Sequence, residues 1–194
     1  MEIDAADDVY VTGTGIDSID KYSTLKFRGT DGQLLWQFYD ALGNDHGASG
    51  LFVDGVGGVF VTGASDPEGD HSNFNDDFFT VKRDSTTGAL LWTHTYGDSC
   101  VGCYDVASDV RVDPEGNVFV IGQTSSAPYS NDVIVLDTTT GLEKNRGVFF
   151  YDGVEIPSPG ALRFDDAFNL FDGGAIYNAN TGAIDMTVTK WASL

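Results

Sequence analysis

One phrase recurs four times in this sequence, and it restricts the chain to a repeated β architecture. Each copy has an aspartate that is followed, five residues later, by a short apolar run. The copies occupy 3–13, 53–63, 112–122 and 164–173, and a second phrase with a turn glycine follows each of them at 31–36, 87–92, 140–142 and 181–184. Repeats of about 40–60 residues built only from strand and turn signals are typical of β-propeller blades.

Each repeat is expected to form four short strands and almost no helix. No segment shows sustained apolar spacing at i, i+3, i+4 and i+7. The sequence therefore predicts an all-β protein, a β-propeller of four-stranded antiparallel blades in a single domain. The predicted blades span approximately 1–45, 46–103, 104–156 and 157–194. The fourth copy is shorter between its two phrases, so its second and third strands must join by a minimal turn.

A row of four blades raises the question of how the ring is completed. Four blades either close a small ring or form part of a larger propeller. An open row would leave two blade faces exposed, which normally indicates a missing partner. A second copy of the chain or further blades would then complete the ring. The strand signal that begins at residue 3 also suggests a chain cut from something longer.

The strong negative charge excludes two classes of partner. The chain has 30 acidic and 10 basic residues, a net charge of −20, and almost all of the acid is aspartate. Aspartate favours turns, so we expect most of this charge to serve turn formation and solubility. A surface this negative repels nucleic acid and anionic membranes. No apolar run approaches the roughly 18 residues needed to span a bilayer.

Two segments resemble repeats of known propeller families. Residues 112–122 resemble the first half of the bacterial β-propeller repeat called SBBP, and 84–92 resemble the turn-and-tryptophan motif of the PQQ-like (quinoprotein-type) propellers. The resemblance implies that the glycine makes a turn and that Trp36 and Trp92 pack between neighbouring blades. Lys144 and Asp185 stand near that position in the other two copies, and Trp191 does not align with the motif.

The resemblance leaves two classes of function open. Propellers of this type include noncatalytic surface domains and quinone-dependent dehydrogenases, several of which have two adjacent cysteines beneath the quinone. The cysteines of this chain are not adjacent. We therefore expect a noncatalytic, extracytoplasmic binding or scaffold module for a protein or carbohydrate partner. The alternative is a fragment of a propeller enzyme, a quinoprotein-type dehydrogenase or a hydrolase, whose active residues lie largely outside this chain.

The two cysteines bear on the cellular compartment. Cys100 and Cys103 lie in the loop that leaves the second repeat, and we expect them to form a local disulfide. A zinc site would need a second ligand pair, which the sequence lacks. A disulfide implies an extracellular, periplasmic or cell-surface location. The sequence shows no signal peptide, so a complete chain would instead be cytoplasmic.

The loop over 66–77 is the best candidate for a metal site. Oxygen donors at Asp66, Glu68, Asp70 and Asp77 echo the alternation of a calcium loop, so calcium is the one cofactor that the sequence suggests. However, the glycine stands at the fourth rather than the sixth position, and no glutamate closes the loop. A solvated acidic loop is the competing interpretation.

Basic residues also recur at matching places. Lys26 and Lys82 each stand ten residues before a tryptophan, which predicts a repeated contact in which the lysine stem packs along a strand and its charge lies in water. Arg111 and Arg163 correspond on the first strand of their repeats, near the central channel. Two arginines there could bind an anionic group. Glu2 and Phe52 occupy the equivalent places in the other repeats, which instead favours simple drift.

Overall fold

The described part of the chain consists of strands, turns and loops. The computed structural model describes residues 1–17, 19–40, 44–66, 76–97, 103–125, 129–150 and 155–191. Within these ranges no residue is helical, and no helix is therefore available that could cross a bilayer. The all-β prediction is confirmed.

The strands form four antiparallel sheets that follow one another in chain order, each a meander. Blade one contains β1 (Glu2–Ile3), β2 (Val9–Asp17), β3 (Ile19–Phe27) and β4 (Leu34–Asp40); blade two contains β5 (Asn44–Val53), β6 (Gly58–Asp66), β7 (Asp77–Asp84) and β8 (Leu90–Tyr96); blade three contains β9 (Val106–Val112), β10 (Asn117–Thr124), β11 (Ser130–Asp137) and β12 (Glu143–Phe150); blade four contains β13 (Glu155–Phe164), β14 (Leu170–Asn178) and β15 (Ala183–Lys190). This arrangement is a partial β-propeller, and a buried apolar cluster fills each of its three junctions.

Blade four has three described strands, whereas each of the other blades has four. β14 begins after the Asp165 turn, as a second strand does in the other blades, and it ends at the Asn178 turn, as a third strand does. Too few residues separate these two turns for a hairpin. The chain therefore crosses the blade once, as one continuous strand, instead of folding back through a minimal turn.

The repeated aspartate builds the turn between the first and second strands of each blade. Its Oδ1 accepts two backbone N–H groups at 2.8–3.0 Å, in turns that begin at Asp4, Asp54, Asp113 and Asp165. The third residue after the aspartate has a positive φ in all four turns: Asp7 at 64°, Gly57 at 115°, Gly116 at 82° and Phe168 at 58°. Local hydrogen bonding therefore accounts for the spacing that recurs in the sequence.

A lysine and a tryptophan fasten blade one to blade two. Lys26 Nζ and Trp36 Nε1 both donate to the backbone carbonyl of Ser85, each at 3.2 Å. Gly88, three residues further along the same turn, lies against the tryptophan: a Cβ there would be 3.0 Å from Cδ2 of Trp36. We call this arrangement the Lys–Trp clamp. The clamp places the lysine amine in a buried junction, where the carbonyl and nearby carboxylates replace the solvent. The sequence instead predicted that the lysine charge lies in water.

The clamp is repeated between blades two and three. Lys82 Nζ and Trp92 Nε1 both donate to the carbonyl of Thr138, each at 2.8 Å. Gly141 occupies the place of the turn glycine, and a Cβ there would lie 2.7 Å from Cδ2 of Trp92. The lysine and the tryptophan face each other across the strand pair β7–β8, which explains their constant separation in the sequence.

The third junction lacks the clamp. The strand register places Val135 and Asn145 where the other blades have lysine and tryptophan, so Asn145 and not Lys144 is the equivalent residue. Trp191 fills this junction instead. It follows β15, is buried, and donates from Nε1 to Asp172 Oδ2 at 2.8 Å. The tryptophan that did not align with the motif therefore has a different packing role.

Two turn glycines allow two effects of a substitution to be compared: the clash with the clamp tryptophan and the strain of the backbone. Gly141 and Gly182 have φ values of 71° and 70°, so alanine is strained by about 1–2 kcal/mol at either position. A Cβ at Gly182 would meet nothing within 4 Å, whereas one at Gly141 would press into the Trp92 ring. We expect Gly141→Ala to reduce the free energy of unfolding by about 1–3 kcal/mol more than Gly182→Ala, measured by urea denaturation. Equal losses would contradict the clamp.

Candidate functional site

The first strands of the blades bring four side chains to equivalent positions. Each of these residues pairs in register with the aromatic residue of the neighbouring second strand: Glu2 with Tyr10, Phe52 with Phe60, Arg111 with Phe119, and Arg163 with Phe171. The correspondence that the sequence suggested is confirmed. These positions form the candidate site, since they bring charged groups of several blades together.

A buried carboxylate holds the two arginines of this site. Asp109 Oδ1 lies 2.9 Å from Nη1 of Arg111, and Oδ2 lies 3.5 Å from Nη1 of Arg163. Oδ2 also accepts the backbone N–H of Leu162 at 2.8 Å. On its other side, β9 approaches blade two so closely that a Cβ at Gly50 would lie 2.9 Å from Cα of Asp109. Asp109 therefore links blade four to blade three at the inner edge.

Burial shifts the pKa of both partners of the shorter ion pair. Desolvation raises the pKa of Asp109, although the nearby Arg111 opposes that shift. Desolvation lowers the pKa of Arg111; Asp109 opposes this shift, and the like charge of Arg163 adds to it. The site thus has titratable groups with perturbed pKa values, which is one property of functional sites and also of structural ion pairs.

The charges of the site balance one another. Both arginines face Asp109, and the negative field of Glu2 also acts on Arg111. Arg111 additionally lies over the ring of Phe52, at 5.4 Å from its centroid. Because little net positive charge remains, the geometry supports an ion-pair network between blades more than a site for an anion.

Sequence reasoning missed Asp109, the central residue of this network. Gly50 and Ala161 occupy its place in blades two and four, according to the strand register. The repeat therefore gave no signal at this position. An aspartate two residues before an arginine on a first strand was the sole indication.

The predicted calcium ligands are only partly described. Asp66 ends β6 and is buried, and Asp77 begins β7, whereas Glu68 and Asp70 lie outside the described residues. Across the ranges that the structure describes, no group of three or more histidine, cysteine or acidic residues could hold a metal ion. Calcium binding at this loop stays a prediction.

The cysteine loop is also partly described. Cys103 is buried and disulfide-bonded, and its carbonyl accepts the backbone N–H of Asp76 at 3.1 Å. Cys100 lies outside the described residues, so the pairing of the two cysteines remains a prediction.

Comparison with solved structures finds propeller proteins of similar fold. The chain is similar to a europium-containing methanol dehydrogenase, with a TM-score of 0.53 and 12% identity over 89% of this chain and 40% of that one. It is also similar to the quinohemoprotein alcohol dehydrogenase from Comamonas testosteroni, with a TM-score of 0.53 and 13% identity over 92% of this chain and 34% of that one. The fold is therefore that of a PQQ-like propeller.

The chain spans 40% and 34% of the lengths of these two dehydrogenases. No family model and no curated protein matches the sequence. The resemblance to the SBBP repeat stays a prediction.

The two arginines should affect Asp109 to different extents. Arg111 is closer to the carboxylate than Arg163, and the exposed fraction of its side chain is 14% against 66%. We expect both Arg111→Gln and Arg163→Gln to raise the pKa of Asp109, the first by more, because an attractive charge is removed from a less solvated place. A pH titration of the Asp109 carboxyl ¹³C shift measures this order. The reverse order would contradict the proposed network.

The raised pKa of Asp109 determines the sign of its effect on the pH dependence of stability. The folded-state pKa of Asp109 lies above its ordinary value of 3.8, so the contribution of this group is present below that pH and is lost as the pH rises through the folded-state pKa. Arg111→Gln should therefore move this loss to higher pH.

Proposed function

We propose that these four blades are part of a larger propeller of the quinoprotein dehydrogenase type, whose active residues lie largely outside this chain. The observation that carries the proposal is the state of the two outermost blade faces. Each is apolar and exposed, although the same face is covered at every junction inside the row.

The first of these faces belongs to blade one and carries Val9, Val11 and Leu25, all partly exposed. The equivalent residues of blades two and three are fully buried: Val59, Val61, Val81, Val118, Val120 and Ile134. We call this surface the first-blade face. Gly32, the turn glycine of blade one, meets nothing within 4 Å, whereas its counterparts in blades two and three lie against a tryptophan. The first-blade face thus has the features of a surface that receives a preceding blade.

The second face lies on blade four. The register places five apolar or aromatic side chains on one side of β14 and β15: Phe171, Tyr177, Ile184, Met186 and Val188. We call them the last-blade face. Met186 stands four residues after the turn glycine, where blades one and two carry their clamp tryptophans, so Met186 and not Asp185 is the equivalent residue. Met186 is 94% exposed, whereas Trp36 and Trp92 are each 8% exposed. An exposed apolar face of this kind indicates an absent neighbour.

The described residues do not fit the metal named in one of the similar dehydrogenases. A hard cation needs several clustered oxygen ligands. The described ranges contain no such cluster, and both oxygens of Asp109 already have partners. We therefore derive no redox step for these blades. Their role in the proposal is to build the wall of the ring and to hold it with the network around Asp109.

A second candidate is a noncatalytic, extracytoplasmic binding or scaffold module with a protein or carbohydrate partner. The balanced charges of the inner strands favour it, because Asp109 is paired with both Arg111 and Arg163. The two candidates differ in solution behaviour: a self-sufficient module should be a stable monomer, whereas a segment of a larger ring should associate through its uncovered faces.

Sedimentation equilibrium tests the larger ring. We expect the chain to self-associate, and Met186→Lys to weaken the association at least tenfold, because the substitution places a charge in an apolar contact. Val56→Lys is the matched control, since Val56 is 91% exposed in the Asp54 turn, away from either face. A stable wild-type monomer with one cooperative thermal transition would contradict the proposal and favour the module.

Activity measurements test where the redox residues lie. Four blades supplied with PQQ and either calcium or europium should show no alcohol-dependent dye reduction. Arg28→Gln is the control, since Arg28 is an exposed arginine paired with Asp31. If activity is present, lost in Arg163→Gln and retained in the control, the active residues lie within these blades and that part of the proposal is overturned.

A further inference from the structure

A cavity of about 280 Å³ opens between blades three and four, beside the repeated aspartate turns. The lining residues that matter for its chemistry are Asp113, Glu115, Phe119, Phe164, Phe168 and Trp191. We call it the junction-three pocket. It lies at the one described junction that lacks the Lys–Trp clamp.

Lysine amines occupy the corresponding place at the other two junctions. Lys26 Nζ lies 4.9 Å from the centroid of the Tyr10 ring and 3.0 Å from Asp8 Oδ2. Lys82 Nζ lies 5.2 Å from the centroid of the Phe60 ring. The fold thus binds an ammonium group over this ring twice with its own side chains.

The third junction keeps the ring but not the lysine. Phe119 is the register equivalent of Tyr10 and Phe60, and Val135 replaces the lysine. The ring of Phe119 lines the cavity, and Phe164 contacts it edge to face at 5.3 Å. The ring of Phe119 therefore borders an open cavity with aromatic walls, and no lysine stands at its register partner.

The pocket also has negative charge at its rim. Asp113 Oδ1 accepts the N–H groups of its turn, while Oδ2 accepts one bond from Asn117 Nδ2 at 2.7 Å. Glu115 is exposed beside it. Lys144 donates to Asn117 Oδ1 on the exposed surface, and its side chain does not line the cavity. Two carboxylates thus face the pocket against one solvated amine at its edge.

Phe168 supplies a further aromatic wall at the expense of backbone strain. Its φ of 58° is unfavourable for a bulky residue, and glycine holds the same turn position in blades two and three. The side chain is nevertheless 59% exposed and lines the cavity. A strained residue that gains little from burial is an indication of a binding role.

We propose that the junction-three pocket binds a small aliphatic primary ammonium ion, of about the length of a lysine side chain. The ammonium group lies over Phe119 and near Asp113, as the lysine amines lie at the other junctions, and Phe168 and Trp191 enclose the alkyl chain. Cation–π attraction and a charge-assisted hydrogen bond supply the recognition. The proposal does not depend on how the ring is completed.

Isothermal titration of the full chain with n-butylammonium chloride tests this site, with n-butanol as the uncharged probe of similar shape. We expect saturable binding of the amine and none of the alcohol. Asp113→Asn keeps the turn acceptor but removes the charge, and should weaken binding at least tenfold. Asp54→Asn makes the same change in blade two, where Lys82 already fills the junction, and should leave the affinity unchanged.

Two further variants separate binding from stability. Phe168→Gly relieves the backbone strain, so it should weaken amine binding at least threefold without lowering Tm. Val135→Lys supplies the missing lysine and should abolish binding. The proposal is overturned if n-butylammonium shows no saturable binding, if n-butanol binds equally well, or if Asp113→Asn and Phe168→Gly both retain wild-type affinity.

Discussion

The structure depends on the hydrogen bonds that fasten blade one to a turn carbonyl of blade two, and blade two to a turn carbonyl of blade three. A blade is a thin antiparallel sheet that must bury both of its faces, and the apolar side chains alone would allow neighbouring sheets to slide. The carbonyls of Ser85 and Thr138 each accept the lysine and tryptophan donors of the preceding blade, which fixes the position of one sheet on another. The turn glycine is required because an aromatic ring lies where a Cβ would be, that of Phe38 at Gly88 and that of Trp92 at Gly141. The junction-three pocket lies where the clamp is missing.

Local hydrogen bonding decides how much of this fold is readable from the sequence. The aspartate turns and the turn glycines recur because the backbone turns in the same way in every blade. The strands between these turns could therefore be predicted. Features that depend on one blade alone could not. Asp109 has no counterpart at its register position, and the single crossing of β14 follows from pairing that only the folded chain reveals. The replacement of the clamp lysine by Val135 beside the pocket is visible only once the register is known.

The large negative charge is explained in part by the same turns. Hydrogen bonds from the threonine or asparagine that follows within each turn lower the pKa of Asp84, Asp137 and Asp165. The contribution of such a group is present above its ordinary pKa and is lost as the pH falls through its folded-state pKa. These carboxylates therefore support the fold, and the composition alone is no indication of a metal or substrate site. The chemistry of the proposed larger ring must be sought where the blades differ from one another.

Native-state hydrogen exchange, followed strand by strand, tests the clamp as the source of stability most directly. Blade two is fastened on both sides, by Trp36 from blade one and by its own Trp92 to blade three, whereas blade four has a clamp on neither side. Amides in β6 and β7 should therefore exchange most slowly, and those in β14 and β15 should exchange through local opening at a much lower free energy. Protection in β15 equal to or greater than that in β6 would contradict this account.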